Sequence, residues 1–112
     1  MNISKLIDII KRVKAIKMTK HEEYYQRMID ENPEIFSLFM DIHDKYVLDS
    51  QQWQTKFNLI GEKVVEIIRD WEKRLCRESE RGKFGKFSDK LADKFWVLVR
   101  KDFSKIDFVG VR

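Results

Sequence analysis

Apolar residues along most of this chain recur at intervals of three and four, the spacing of one face of an α-helix. The clearest run lies in the middle of the chain and consists of Trp53, Phe57, Ile60, Val64, Ile67, Trp71 and Leu75. Its steps are close to a heptad repeat, which is typical of helices that pack together at shallow angles. The pattern predicts one long helix that starts at Asp49-Ser50 and ends before residues 81–90. Gly61 lies beside the row, where its missing side chain allows another helix to approach.

A second amphipathic segment lies at the N-terminus, where the polar side is largely basic. Its apolar face is formed by Ile3, Leu6, Ile7, Ile10 and Val13. Thr19 and Glu22 then have the spacing of a capping box, in which a hydroxyl accepts from the backbone N–H of the third helical residue. Tyr24, Tyr25, Met28 and Ile29 form the apolar stripe that follows. The pattern leaves open whether residues 3–31 form one helix or two.

Asn32-Pro33 marks a helix boundary, because proline suits the first helical position and asparagine is a common N-cap. A helix is predicted from Pro33 to about Leu48, and another from an N-cap at Ser88 to about Ile106. The inward residues of the first are Ile35, Phe36, Phe39, Ile42 and Tyr46, and those of the second are Leu91, Phe95, Leu98, Val99, Phe103 and Ile106. The last residues, DFVGVR, predict an extended tail.

These segments together predict an all-α protein, an antiparallel bundle of four or five helices with a short extended C-terminal tail. The chain has 112 residues, of which 43% are hydrophobic and 12% aromatic. That length suits a single domain, residues 1–112, with a real core.

Charge is segregated along the chain, although the net charge is only +4. Residues 1–20 hold six basic residues and one acidic residue, whereas residues 21–50 hold eight acidic and two basic. Residues 51–80 balance, and residues 81–112 hold nine basic residues against four acidic. Basic ends around an acidic middle either steer partners or fold back onto that middle.

Composition favours a soluble protein of the cytoplasm. No apolar run approaches the roughly 18–20 residues that a membrane-spanning helix needs, and the N-terminal apolar residues are interrupted by Lys11, Arg12 and Lys14. The only cysteine, Cys76, excludes an internal disulfide and fits a reducing compartment.

The stretch RGKFGKFSDK, residues 81–90, combines basic, aromatic and glycine residues. It lacks the serine or threonine of a P-loop and does not follow a strand. Two interpretations remain: a turn pinned to the core by Phe84 and Phe87, which is favoured, and a loop that stacks on single-stranded nucleic acid. The residues predicted to contact a nucleic acid or another anion are Lys11, Arg12, Arg81, Lys83, Phe84, Lys86 and Lys90.

Catalytic and metal-binding patterns are weak. HEEYY, residues 21–25, has Tyr25 where the zinc motif H-E-x-x-H requires its second histidine. His43 lies on an apolar helix face, which predicts a hydrogen-bonded core residue and not a ligand. Glu62, Glu66 and Asp70 align on one helix but have basic neighbours, as solvated ion pairs do. No catalytic residue, metal ligand or cofactor is therefore predicted.

The leading functional hypothesis is a non-enzymatic module that binds another protein or associates with itself. The predicted partner face is the near-heptad side of the long helix: Trp53, Phe57, Ile60, Val64 and Trp71. The alternatives are nucleic-acid binding through the basic residues and, less favoured, a metal-dependent hydrolase that uses the acidic middle of the chain.

Overall fold

The computed structural model describes residues 18–80 and 88–111, and this part of the chain contains helices and no strand. The four α-helices are α1 (Lys20–Glu31), α2 (Pro33–Leu48), α3 (Ser50–Glu80) and α4 (Ser88–Asp102), and a 3₁₀ turn follows at Ile106–Phe108. The prediction of an all-α bundle is confirmed, with four helices in the described ranges. The amphipathic segment predicted at residues 3–13 lies outside them.

Helix α1 begins at the predicted capping box. Thr19 is extended, with φ −71° and ψ 165°, and its hydroxyl accepts from the backbone N–H of Glu22 at 3.4 Å. The same hydroxyl donates to Oε1 of Glu22 at 2.9 Å. A helix therefore starts after Thr19, so residues 3–31 do not form one continuous helix.

Single residues separate the first three helices. Pro33 is the first residue of α2, as predicted, but the Asn32 side chain makes no N-cap bond to that helix. Its amide donates instead to the carbonyl of Met28 at 2.9 Å, so Asn32 closes the C-terminus of α1. Asp49 separates α2 from α3, and its carboxylate accepts from the backbone N–H of Gln52 at 3.2 Å.

The buried row of the long helix is shifted by one residue from the predicted row at two places. The fully or nearly fully buried residues are Phe57, Gly61, Val64, Ile68, Trp71 and Leu75. These steps of four and three form a regular heptad pattern. Ile60 and Ile67, which were predicted to be inward, are only partly buried. The sequence pattern selected these residues because their side chains are apolar. The buried position beside Ile60 belongs to Gly61, which has no side chain and so does not contribute to such a pattern.

Contacts across the core show that α3 runs antiparallel to both α1 and α2. Tyr46, near the end of α2, stacks on Phe57 near the start of α3, with ring centroids 3.9 Å apart. Tyr24, in the first half of α1, meets Trp71 edge-on in the second half of α3, at 6.1 Å. Helix α4 then packs on α1 and α3.

The C-terminal part of the prediction needs two corrections. Helix α4 ends at Asp102, not near Ile106, and the tail, which was predicted to be extended, contains a 3₁₀ turn. Phe103 and Ile106 are nevertheless buried, at 2% and 3% exposure. The turn lets both side chains enter the core after the helix has ended.

Gly61 provides the space into which this tail packs. A Cβ atom built there would lie 2.6 Å and 2.9 Å from the two methyl groups of Val109, and 3.2 Å from Cε1 of Phe39. The close approach predicted at Gly61 is thus made by the C-terminal tail together with α2. Gly110, the residue after Val109, has φ +91°, a conformation that favours glycine.

Candidate functional site

An apolar groove of about 610 Å³ runs between α1, the start of α2 and the end of α4. Its lining from α1 follows the helical repeat and comprises Glu22, Tyr25, Gln26, Ile29 and Asp30. The rest comes from Met18, from Pro33, Phe36, Ser37 and Met40, and from Leu98, Lys101, Asp102 and Phe103. Because Asn32 is the sole residue between α1 and α2, one wall of the groove continues from one helix to the next.

The floor of the groove is aromatic and well buried. Tyr25, Phe36 and Phe103 are 6%, 3% and 2% exposed, and Phe36 contacts Phe103 with ring centroids 6.1 Å apart. Ile29, Met40 and Leu98 stand above this floor and are only partly buried. The groove therefore presents apolar surface that the described part of the chain leaves uncovered.

The rim of the groove is polar and carries more acidic than basic groups. Glu22, Asp30 and Asp102 line it together with one basic residue, Lys101. Asp30 accepts a hydrogen bond from the Gln26 amide at 2.9 Å. An apolar floor inside a polar rim is the usual anatomy of a protein-binding surface, and this rim favours a cationic ligand.

Tyr25 and Asp102 join the floor to the rim. The phenol donates to Oδ2 of Asp102 at 2.6 Å, which links α1 to the last residue of α4. Burial, and then this hydrogen bond, raise the pKa of Tyr25 far above its ordinary value. The hydroxyl is therefore a fixed donor near neutral pH, not a proton-transfer group.

The titratable groups among the described residues that line the groove are three carboxylates, one lysine and one tyrosine. Its described lining contains no histidine and no cysteine, and its one serine, Ser37, is exposed. Within residues 18–80 and 88–111, no group of three or more His, Cys, Asp or Glu side chains is arranged to hold a metal ion.

His43 holds the C-terminal segment on the side of α2 that faces Phe57. The residue is 4% exposed, and its Nε2 accepts from the backbone N–H of Lys105 at 3.1 Å. Its Nδ1 lies 3.5 Å from Oδ1 of Asp44 but makes no hydrogen bond there. The sequence predicted a hydrogen-bonded core histidine, and that prediction is confirmed.

Two amides on α3 bind the end of the tail. Asn58 accepts from the backbone N–H of Gly110 at 2.8 Å and donates to the carbonyl of Val111 at 2.9 Å. Gln54 donates to Asn58 at 2.8 Å and accepts from the hydroxyl of Tyr46 at 2.9 Å. This network is internal to the fold, and it fixes Val109 against Gly61.

Most of the predicted partner face is buried in the core of the fold. Phe57, Val64 and Trp71 lie in the core, at 0%, 0% and 3% exposure, because α1, α2 and α4 cover that side of α3. Trp53 and Ile60 stay partly exposed. Lys45 and Lys56 lie over the Trp53 ring, 5.0 Å and 5.3 Å from its centroid.

Most residues of the nucleic-acid prediction lie outside the described ranges: Lys11, Arg12, Arg81, Lys83, Phe84 and Lys86. Lys90 is described and is exposed on α4. Nucleic-acid binding therefore stays a prediction.

The acidic stripe on α3 behaves as an ordinary surface. Glu62, Glu66 and Asp70 are exposed, and Asp70 pairs with Arg74 at 2.9 Å.

In the part of the chain that the structure covers, no helix has the length and hydropathy to cross a membrane.

Sequence reasoning missed the groove, although it identified several of its residues as core. Tyr25, Ile29, Phe36 and Leu98 were all predicted to face inward. One signal of the groove was present in the sequence, because α2 has more apolar residues than a single inward row requires. Met40, four residues after Phe36, adds apolar area on the same side of that helix. Apolar area beyond the inward row is left uncovered by the bundle itself.

Comparisons of the chain with known protein families, with curated proteins and with solved structures found no match.

Proposed function

We propose that this protein is a non-enzymatic binding module, and that its groove receives an amphipathic, basic helix of a protein partner. The observation that carries the proposal is the combination of an uncovered apolar wall, formed by Ile29, Met40 and Leu98, with the acidic rim. Helix-in-groove recognition uses this chemistry: apolar residues at helical spacing fill the groove, and charges at the rim set orientation and partner choice.

The rigidity of the groove supports the proposal. Tyr25 is fixed by its bond to Asp102 and by edge-on contact with Phe95, at a centroid distance of 6.0 Å. Phe36 and Phe103 are held in the core. A preformed floor lowers the free-energy cost of ordering side chains when a ligand binds.

A model peptide tests the proposal directly. The probe is a fluorescent 14-residue helix with leucines on one face and lysines elsewhere, and its control carries glutamates in place of the lysines. We expect the basic peptide to bind the full chain more tightly than the acidic one. Met40→Asp should weaken that binding by about tenfold or more, since a loss of about 1.4 kcal/mol is a factor of ten.

Leu38→Asp is the matched control, because it adds the same charge to the same helix at an exposed position that does not line the groove. Circular dichroism establishes that both variants keep their helices. Equal loss of binding in the two variants, or preference for the acidic peptide, would contradict the proposal. Oligonucleotide binding that falls steeply with salt and ignores Met40→Asp would assign the function to the basic residues instead.

A further inference from the structure

We propose that acid releases the last residues of the chain from the core, because His43 can hold them only while its ring is neutral. The C-terminal segment, residues 103–111, is attached to α2 through a hydrogen bond in which the backbone N–H of Lys105 donates to Nε2 of His43 at 3.1 Å. Phe103 in this segment lines the groove, so release also removes part of that site. The effect on partner binding rests on the proposed function, whereas release itself does not.

The bond between His43 and Lys105 needs a neutral imidazole. A backbone N–H can only donate, so Nε2 must keep its lone pair. A protonated imidazole carries a proton on each nitrogen and accepts no hydrogen bond. Protonation would therefore bring two donors together at 3.1 Å, in a residue that is only 4% exposed. The charged ring and the attached segment are incompatible.

The rings that surround His43 offer no oxygen acceptor for a charged Nε2. Phe39 comes from α2, Phe57 from α3 and Phe103 from the C-terminal segment, with ring centroids 6.2 Å, 6.2 Å and 5.8 Å from that of the imidazole. A charged group is costly to bury among apolar side chains unless it finds a polar partner. Movement of the C-terminal segment supplies that partner, because it admits water to Nε2.

Asp44 and Lys105 are charged residues that contact the ring. The ammonium of Lys105 lies over the Phe108 ring, 5.4 Å from its centroid. Oδ1 of Asp44 lies 3.5 Å from Nδ1, which makes no hydrogen bond there. A positive ring is attracted to this carboxylate, although water screens the attraction because the Asp44 side chain is 71% exposed. Protonation therefore strengthens a contact within α2 and breaks the contact with the C-terminal segment.

Phe103 links His43 to the groove. Its ring meets the imidazole edge-on and lies 6.1 Å from the ring of Phe36 in the groove floor. Phe103 is 2% exposed, so the floor is incomplete without it. A partner that contacts this floor binds the attached segment better than the released one, and partner binding and release therefore oppose each other.

Proton linkage sets the size of the effect. A histidine side chain in an unfolded peptide takes up its proton at about pH 6.5. The attached segment excludes the proton from His43 and the released segment admits it, so attachment is complete above that pH and weakens as the pH falls. Release should become about tenfold more favourable between pH 7.5 and pH 5.5.

Amide hydrogen exchange in the full chain measures release. The readout is the protection factor of the Lys105 N–H, which removes the ordinary dependence of exchange on pH. We expect this factor to be well below that of Ile68, which is fully buried on α3, and to fall about tenfold from pH 7.5 to pH 5.5. Equal protection at the two amides would mean that exchange requires unfolding of the whole chain, and it would overturn the inference. Protection of Lys105 that does not change with pH would also overturn it.

His43→Gln tests the assignment to this residue, because a glutamine oxygen can accept from Lys105 and does not titrate. The tenfold fall should disappear in this variant. His21→Gln is the matched control, since the chain has two histidines and the same change is made at the other one. That variant should keep the full response. A fall that persists in His43→Gln, or is lost in His21→Gln, would assign the response to other groups.

Asp44→Asn tests the same proposal without altering the core. The side chain is mostly exposed, so the variant should fold as the wild type does. Without the carboxylate the ring takes up its proton less readily, and the fall in Lys105 protection at pH 5.5 should be smaller. An unchanged fall would contradict the proposed role of the charged ring.

The basic model peptide separates this inference from the proposed function. At pH 7.5, peptide at ten times its dissociation constant should raise the protection factor of Lys105 about tenfold, because the bound groove requires the attached segment. A response to pH without any effect of the peptide supports acid release and removes the partner. Peptide binding that Met40→Asp weakens, in a chain whose Lys105 protection ignores pH, removes only acid release.

Discussion

The hydroxyl of Tyr25 donates to the carboxylate of Asp102 across 2.6 Å, a bond that spans 77 positions of sequence. It ties the middle of α1 to the last residue of α4, at the edge of the groove. The groove thus keeps its width through a polar contact, not through apolar packing alone.

Removing the hydroxyl of Tyr25 should destabilise the fold, even though the buried ring stays in place. Tyr25→Phe keeps the buried ring but loses a hydrogen bond to a charged group, and such bonds contribute about 1.5–3 kcal/mol. We expect the free energy of unfolding to fall by about 1–2 kcal/mol, because Asp102 is exposed and water replaces the donor. Urea denaturation measures the loss. A double-mutant cycle with Asp102→Asn should give a coupling of similar size, and additive effects would show that the bond contributes nothing.

High pH should destabilise the fold through the buried tyrosines Tyr24 and Tyr25. Burial, followed by the hydrogen bond to Glu78, raises the pKa of Tyr24 to about 12, and the pKa of Tyr25 is also raised. Because the pKa of each tyrosine is higher in the folded state, unfolding at alkaline pH releases protons. The contribution of the two tyrosines to the free energy of unfolding is therefore complete below about pH 10, the ordinary tyrosine value. The contribution of Tyr24 is then lost as the pH rises through about 12.

Denaturation curves at a series of alkaline pH values measure this decline. Tyr24→Phe should flatten it, and Tyr24→Phe combined with Tyr25→Phe should flatten it further. A decline of unchanged slope in the double variant would assign it to other groups.

Gly61→Ala should be destabilising even though alanine is the better helix former. The helix preference favours alanine by about 1 kcal/mol, but the new methyl would overlap both methyl groups of Val109. Overpacking of this kind costs about 1–3 kcal/mol, so we expect a small net loss of stability and a displaced tail. Amide exchange at Gly110, whose N–H is bound by Asn58, should become faster.

The double variant Gly61→Ala/Val109→Ala supplies the control for that change. It removes the overlap and should recover part of the stability lost in the single variant. A gain in stability from Gly61→Ala alone, with unchanged exchange at Gly110, would show that Val109 moves aside without cost.

His43 should be found as the neutral tautomer with its proton on Nδ1. Its Nε2 faces the backbone N–H of Lys105 at 3.1 Å and must accept, so the proton is left for the nitrogen that faces Asp44. Nitrogen-15 chemical shifts of the labelled ring distinguish the two tautomers. A proton on Nε2 near neutral pH would contradict the bond to Lys105. His43→Phe, which removes the acceptor, should lower the free energy of unfolding by about 1–3 kcal/mol.

Local chemistry explains which features the sequence predicts well. The start of α2 at Pro33 depends on residues within one helical turn, so the proline reveals it. The capping box at Thr19 and Glu22 is equally local, but the apolar pattern left open whether a helix starts there. The core histidine was predictable for a similar reason, because its neighbours on the helix face are apolar.

Long-range contacts explain the differences. Helix α4 was predicted to continue to Ile106, but the N–H of Lys105 is taken by His43, 62 residues earlier. The buried row of α3 passes through Gly61 because Val109 fills the space there. The groove joins residues from α1, α2 and α4, and no spacing within one segment reveals such a combination.

The last residues of the chain also determine when the fold can form during synthesis. Phe103 and Ile106 fill the core beside Phe36 and Phe39, which leave the ribosome more than sixty positions earlier. Until those late residues emerge, Phe36 and Phe39 lack their ring contacts with Phe103. A nascent chain stalled near position 100 should therefore resemble a chaperone client, and release of the final turn should complete folding in one cooperative step.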